Sequence, residues 1–283
     1  MKKLLLILIL SAFSYAGAFA QLPKPDHIIV VFLENHSQKT IIGSKYAPYL
    51  NSLVKDKMGA LMSNSYAIGH PSQPNYLEFF SGSNQGITDD DLPKKFPFTS
   101  PNLGAELLRK GYTFSGYSED MPDTGYNGKF AGAYARKHNP WVNWMNSDTN
   151  GIPAKYNLPL TAFPKDFNKL PAVSFVIPNE NNDMHNGKDP ETIIRSDKWM
   201  KAHLDKYVKW AKKHNSLLII TFDEDHYDQN NCIPTIFIGA MVKHGRYDQK
   251  INHYNVLRTI EDMYGLDHAG ASANVKPVTG CWR

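Results

Sequence analysis

Apolar residues in this chain gather in short unbroken runs, separated by stretches of helical spacing and by one long irregular segment. His27–Leu33 (HIIVVFL), residues 172–177 (AVSFVI) and Ser216–Phe222 (SLLIITF) are continuous and rich in β-branched side chains. That pattern marks strands covered on both faces, as in a parallel sheet packed between helices. Residues 58–67, 112–117 and 233–242 read as further strands. Between the strands, 47–55, 101–110, 196–214 and 251–266 carry apolar residues at helical spacing. The clearest case is Met200, Leu204, Tyr207, Val208 and Ala211 along one face. Strands alternating with helices predict an α/β chain folded as a three-layer α/β/α sandwich with a mostly parallel central sheet.

Residues 119–171 break the alternation. They are rich in Gly, Asn, Pro and aromatic residues, which predicts a loop-rich cap inserted into a single domain spanning 21–283. The start of the chain has its own pattern: Lys2 and Lys3, an apolar run over 4–13, then Ala18-Phe19-Ala20. This predicts a signal peptide over 1–20, cut after Ala20, and a secreted or periplasmic protein. The run is short for a bilayer span and no later one is longer, so no transmembrane anchor is expected. Loss of Lys2 and Lys3 lowers the basic count from 31 to 29 against 27 acidic residues, moving the net charge from +4 to +2. So even a balance argues against a nucleic-acid partner and against binding to a membrane surface through overall charge. Cys232 and Cys281 are the two cysteines. With no CxxC spacing, in an exported chain they are expected as a disulfide.

The candidate chemistry begins at Gly69-His70-Pro71-Ser72-Gln73-Pro74-Asn75-Tyr76. A helical run follows to Ser81 and stops at Gly82, so Ser72 lies at or just before a helix N-terminus. A hydroxyl there is either a helix cap or a nucleophile held where free N–H groups favour an anion. Its company favours the second. Three buried runs each end in a polar cluster: Glu34-Asn35, Asp183-x-His185 and Asp223-Glu224. In open α/β sheets ligands gather at the carboxyl ends of strands, so the pattern predicts a metal-assisted site there. His36, His203, His214, His244 and His268 read as ordinary surface residues.

These motifs resemble a known group. Glu34-Asn35, HPSQPNY at 70–76, DMHNG at 183–187, TFDED at 221–225 and NHYNVLRTIEDMYGL at 252–266 are similar to the secreted phosphoesterases. That group includes bacterial acid phosphatases and non-specific phospholipases C, within the alkaline-phosphatase superfamily. The resemblance implies an alkaline-phosphatase-like fold and a phosphatase that hydrolyses phosphomonoesters through a serine nucleophile and a phosphoserine intermediate. Ser72 matches the nucleophile. Glu34, Asn35, Asp223 and Glu224, with Ser72, match the metal ligands. His185 and His253 match catalytic histidines, the first read as proton donor. His70, Asn75 and His138 match phosphate-holding residues, with Asp183 as an orienting carboxylate. Oxygen ligands favour a hard divalent cation, Ca²⁺, Mg²⁺ or Mn²⁺, over zinc. Gly187 stands four residues after Asp183, where two-metal members have histidine, so one ion is expected. The implied partner is a small phosphorylated substrate, a phosphomonoester or a phosphoinositide. A phosphodiesterase or phospholipase C on the same site is the near alternative, and a non-catalytic exported metal-binding protein a remote one. A sulfatase lacks support, because Tyr76 stands where its motif needs arginine.

Overall fold

The computed structural model describes residues 22–283, and the expected signal peptide lies outside the described residues. Eight strands make the main sheet: β1 (His27–Leu33), β2 (Gly59–Met62), β3 (Phe114–Ser118), β4 (Asn157–Pro159), β5 (Val173–Ile177), β6 (Ser216–Phe222), β7 (Thr235–Gly239) and β8 (Gly245–Tyr247). Their spatial order is β8-β2-β7-β6-β1-β5-β3-β4. Every neighbouring pair is parallel except the two that β7 makes, with β6 and β2. The exception has a simple origin. Residues 223–234 carry no helix, and a parallel return needs a crossover of a dozen or more residues, usually helical.

Alternate residues of β1 feed opposite layers, as the strand period requires. Ile28, Val30 and Phe32 pack under α2 (Ser72–Ser81), α3 (Leu103–Arg109) and α5 (His253–Tyr264). Ile29, Val31 and Leu33 pack under α1 (Pro48–Val54) and α4 (Glu191–Ala211). The arrangement is an α/β/α sandwich with β1 near its middle. No helix among the described residues is long and apolar enough to cross a membrane.

Three expectations change in detail. Residues 58–67 form two strands, because the chain turns after β2 and Ser65–Tyr66 pairs with Ile251–Asn252, the lead into α5. The segment 119–171 supplies edge strand β4 and sends Trp141 and Trp144 into the core beside Phe80, Phe114 and Phe175. Gly116 in β3 makes room for Trp141: a Cβ there would lie 2.0 Å from Trp141 Cζ2. The expected disulfide is corrected. Cys232 and Cys281 are both free, buried thiols. Cys232 precedes β7, whereas Cys281 accepts a hydrogen bond from Lys243 N–H beyond its other end. That strand spans about 16 Å, and a disulfide tolerates Cα atoms no more than ~7 Å apart.

Candidate active site

Adjacent strands β6, β1 and β5 run parallel, so the residues that follow them emerge side by side. The backbone ties them together: Glu34 N–H donates to the Asp183 carbonyl (2.8 Å), and Asn35 N–H donates to Asp223 Oδ1 (2.9 Å). Asn35 takes a left-handed conformation, φ 47°, which asparagine tolerates better than most residues. Met184 does so at φ 90°, a strained turn that costs about 1–3 kcal/mol. It lets the Asp183 carboxylate cap the His185 N–H (2.8 Å).

Glu34 is the hub, fully buried. Its Oε2 accepts the Ser72 hydroxyl (2.9 Å) and its Oε1 accepts the Tyr76 hydroxyl. His138 Nε2 lies 3.3 Å from the same Oε1, and His138 Nδ1 lies 3.4 Å from Asp183 Oδ2. Ser72 and Tyr76 are four residues apart on α2, so one helix face presents both hydroxyls to one carboxylate. Ser72 is the first helical residue, Pro71 holds the cap position, and no side chain caps the helix. The cap reading of Ser72 therefore fails. The helix start is also a poorer anion site than its position suggests. Pro74 has no N–H, and the Gln73 N–H is taken by Asp90 Oδ1 (2.9 Å).

The other expected residues divide into two groups. His70, Asn75 and Glu224 meet: His70 Nδ1 lies 3.1 Å from Glu224 Oε2, and Asn75 Nδ2 donates to that oxygen (3.3 Å). His253 stands apart. It donates through Nε2 to the Phe222 carbonyl (2.9 Å), with its ring between Phe32 and Phe79. Burial lowers it to about 4, so it is a neutral group bracing the end of β6. His185 is half-buried, with Nε2 3.5 Å from Lys137 Nζ and its ring 6.3 Å from that of His138.

Crowded carboxylates set the electrostatics. Burial, and then the Glu34 charge, push Asp183 and Asp223 well above the usual carboxylate range, and Glu224 to about 8. Burial, then Lys137 and His185, hold His138 well below the ordinary histidine value. Lys137 stays protonated despite burial, because Glu34 and Asp90 raise it.

The residues fit a cation. Asp183 Oδ2, Asp223 Oδ2, Asn35 Oδ1 and His138 Nε2 are all buried without a hydrogen-bond partner, a state proteins avoid. Glu34, His138 and Asp183 bring ligand atoms within 4.8 Å of one another. The expected Glu34, Asn35, Ser72, Asp223 and Glu224 set is only partly gathered here, since Glu224 turns to His70 and Asn75. Three residues of the site escaped the sequence reading. Tyr76 closes the HPSQPNY stretch, whose pattern assigns it no role. Lys137 lay in the irregular segment, beside His138. His36 is buried rather than exposed: it donates through Nδ1 to the Glu34 carbonyl (2.8 Å) and meets Asp189 at 3.0 Å. Its place two residues after Glu34 was the available signal.

Residues 44–267 match the Phosphoesterase family. The chain belongs to that family. This phosphoesterase is therefore a phosphoric ester hydrolase. It is 46% identical over 278 residues to a phosphatidylinositol-3-phosphatase of Mycobacterium tuberculosis, covering 95% of this chain and 89% of that protein. It is 30% identical to a probable acid phosphatase of Kluyveromyces lactis, covering 85% of this chain and 58% of that longer protein. Among solved structures, an alkaline-phosphatase-superfamily protein from Vibrio parahaemolyticus matches with a TM-score of 0.61 at 12% identity, over 91% of this chain and 71% of that one. At that identity the likeness establishes the fold, which is that of the alkaline-phosphatase superfamily.

Proposed function

We propose that the phosphoesterase is an exported phosphatase whose Ser72 hydroxyl attacks a phosphomonoester and forms a phosphoserine intermediate. One observation carries the reading: Ser72 Oγ lies 2.9 Å from Glu34 Oε2, where the ends of three parallel strands meet. Glu34 accepts the Ser72 proton and fixes the direction of Oγ. Lys137, protonated and half-buried, supplies positive charge for the phosphoryl oxygens. His185, the more accessible histidine, protonates the leaving alcohol, with Asp183 holding its backbone. Tyr76 holds Glu34 in place through its hydroxyl.

A divalent cation beside Ser72 would be held by Glu34, Asp223, Ser72 and Asn35, with Glu224 joining them only on leaving His70 and Asn75. When bound, it acidifies the hydroxyl and neutralises charge on the phosphate. The mutual approach of Glu34, His138 and Asp183 favours a second reading, in which the ion sits on the Oε1 side of Glu34. The oxygen-rich donors in either set suit a hard ion. By similarity to the mycobacterial relative, the substrate class is a phosphoinositide.

Ser72→Ala tests the nucleophile. It should lower turnover at least about a thousandfold, while acid-quenched wild type, but not the variant, gains one phosphoryl group by mass. Loss of a partner on Glu34 costs about 1–3 kcal/mol, so circular dichroism should still show a folded chain. Turnover close to that of the wild type would rule the role out.

A further inference from the structure

Four large apolar side chains are exposed among the described residues: Leu92 (40%), Phe96 (46%), Phe130 (52%) and Tyr227 (77%). Scattered singly, they would need no explanation. They are not scattered. Leu92 and Phe96 flank Lys94 and Lys95 on one exposed loop. Phe130 is brought to that loop by its neighbour, since Lys129 Nζ donates to Asp91 Oδ1 (2.8 Å). The Arg136 guanidinium lies 5.1 Å from the Phe96 ring centre, and Arg136 N–H donates to the Lys129 carbonyl (3.0 Å).

The base of the loop is part of the active-site wall. Gln73, beside Ser72, donates its backbone N–H to Asp90 Oδ1 (2.9 Å). Its side-chain amide donates to the carbonyls of Asp89 (2.9 Å) and Asp91 (2.7 Å). Lys137 joins Asp90 Oδ2 (3.2 Å) to the His185 side of the site. Tyr227 stands at another part of the mouth, its ring stacked on His70 at 3.9 Å. The loop that carries Leu92 and Phe96, and Tyr227 on His70, are thus tied to the surroundings of Ser72.

The charges of the loop divide in the same way. Asp90 and Asp91, at its base, are paired with Lys137 and Lys129, and Asp89 beside them is exposed and accepts the Asp91 N–H without an ion pair among the described residues. Lys94 and Lys95, at its tip, are exposed and form no ion pair among the described residues. An apolar tip carrying two unpaired lysines is what an anionic bilayer surface binds: the rings and Leu92 leave water, and the ammonium groups meet lipid phosphates. A second copy of the chain is a poorer occupant, because a two-fold contact through this patch brings the same lysines face to face.

We propose that Leu92, Phe96 and Phe130, with Lys94 and Lys95, form a membrane-docking rim that seats the enzyme on an anionic lipid surface and offers lipid-borne phosphate to Ser72. The inference rests on the phosphatase reading for its catalytic meaning, but docking is measured without turnover. The protein should co-sediment with vesicles of phosphatidylcholine and phosphatidylserine, and more weakly with phosphatidylcholine alone. A Leu92→Ser, Phe96→Ser, Phe130→Ser variant should bind the mixed vesicles about tenfold or more weakly. Lys94→Ser with Lys95→Ser should remove the preference for the anionic lipid. Both variants should hydrolyse soluble p-nitrophenyl phosphate at the wild-type rate while losing rate on a phosphoinositide in vesicles. Undiminished vesicle binding by the triple variant overturns the proposal, as does a wild-type dimer that the triple variant converts to monomer. An inactive wild type that still binds vesicles through this rim defeats the phosphatase reading and leaves docking intact.

Discussion

Glu34 shows how much a single side chain can organise. Its two oxygens face different partners, Ser72 on one side and Tyr76 with His138 on the other, so a change at either side is felt at Ser72. The same residue-by-residue reading separates the histidines. His253 is buried, neutral and spent on a backbone carbonyl, and His138 is enclosed between two carboxylates. Of the three, His185 alone combines partial exposure with a nearby carboxylate, Glu180 4.0 Å from its Nδ1, which is why it carries the leaving-group proton in the proposed mechanism. An alkoxide needs that proton and p-nitrophenolate hardly does. His185→Asn should therefore slow hydrolysis of an alkyl phosphate by ~10²-fold or more and of p-nitrophenyl phosphate far less. Equal losses on both would reduce His185 to a phosphate-binding residue.

Elements were largely legible where packing on both faces forces a continuous apolar run. β1 and β6 have the bounds that their sequence suggests, because their interiors are covered on both faces and are apolar at nearly every position. The parallel or antiparallel sense of β7 was not legible, since it depends on the connection and not on the strand. The role of 119–171 was hidden for another reason: Trp141 fills the space above Gly116, and a lone glycine in a strand announces no partner. Gly116→Ala should destabilise the protein by about 1–3 kcal/mol or more through overpacking, read as a lower urea midpoint. An unchanged midpoint would show that Trp141 moves freely. Helix α5 gives a pH prediction away from the active site. Glu261 accepts hydrogen bonds from Ala269 N–H and the Ser272 hydroxyl, yet burial lifts it to about 7. Burial likewise lifts Glu78 on α2 to about 7. The folded chain thus keeps protons that the unfolded chain releases above pH ~4.5, so these groups make stability fall as pH rises between about 4.5 and 7. Glu261→Gln should flatten that slope in a series of thermal melts, whatever it does to absolute stability. A slope identical to the wild type would mean that the carboxyl ionises freely in the fold.

At the scale of the whole molecule, a parallel sheet delivers four acidic side chains, Glu34, Asp183, Asp223 and Glu224, to one edge. Their positions after buried strands were visible in the sequence. Their pairings were not, because which oxygen faces which partner is fixed by side-chain packing across elements distant in the chain. Mutual repulsion and burial make this edge a source of instability, and a divalent cation is the group that would relieve it. The buried carboxylate oxygens of Asp183 and Asp223 that lack partners argue the same way. A cation that binds the folded chain alone must stabilise it by mass action: about 2.7 kcal/mol at a hundredfold excess over its dissociation constant, or roughly 5–10 °C in the melting midpoint. Adding Ca²⁺, Mg²⁺ or Mn²⁺ to chelator-treated protein should therefore raise the midpoint by that order and restore activity, with one ion bound per chain. The variants locate the ion. Asp223→Asn should abolish the shift if the ion sits beside Ser72, whereas His138→Ala should abolish it if the ion sits between Glu34 and Asp183. Two bound ions would mean that both sides of Glu34 are used, and a midpoint indifferent to every divalent cation would refute metal dependence altogether.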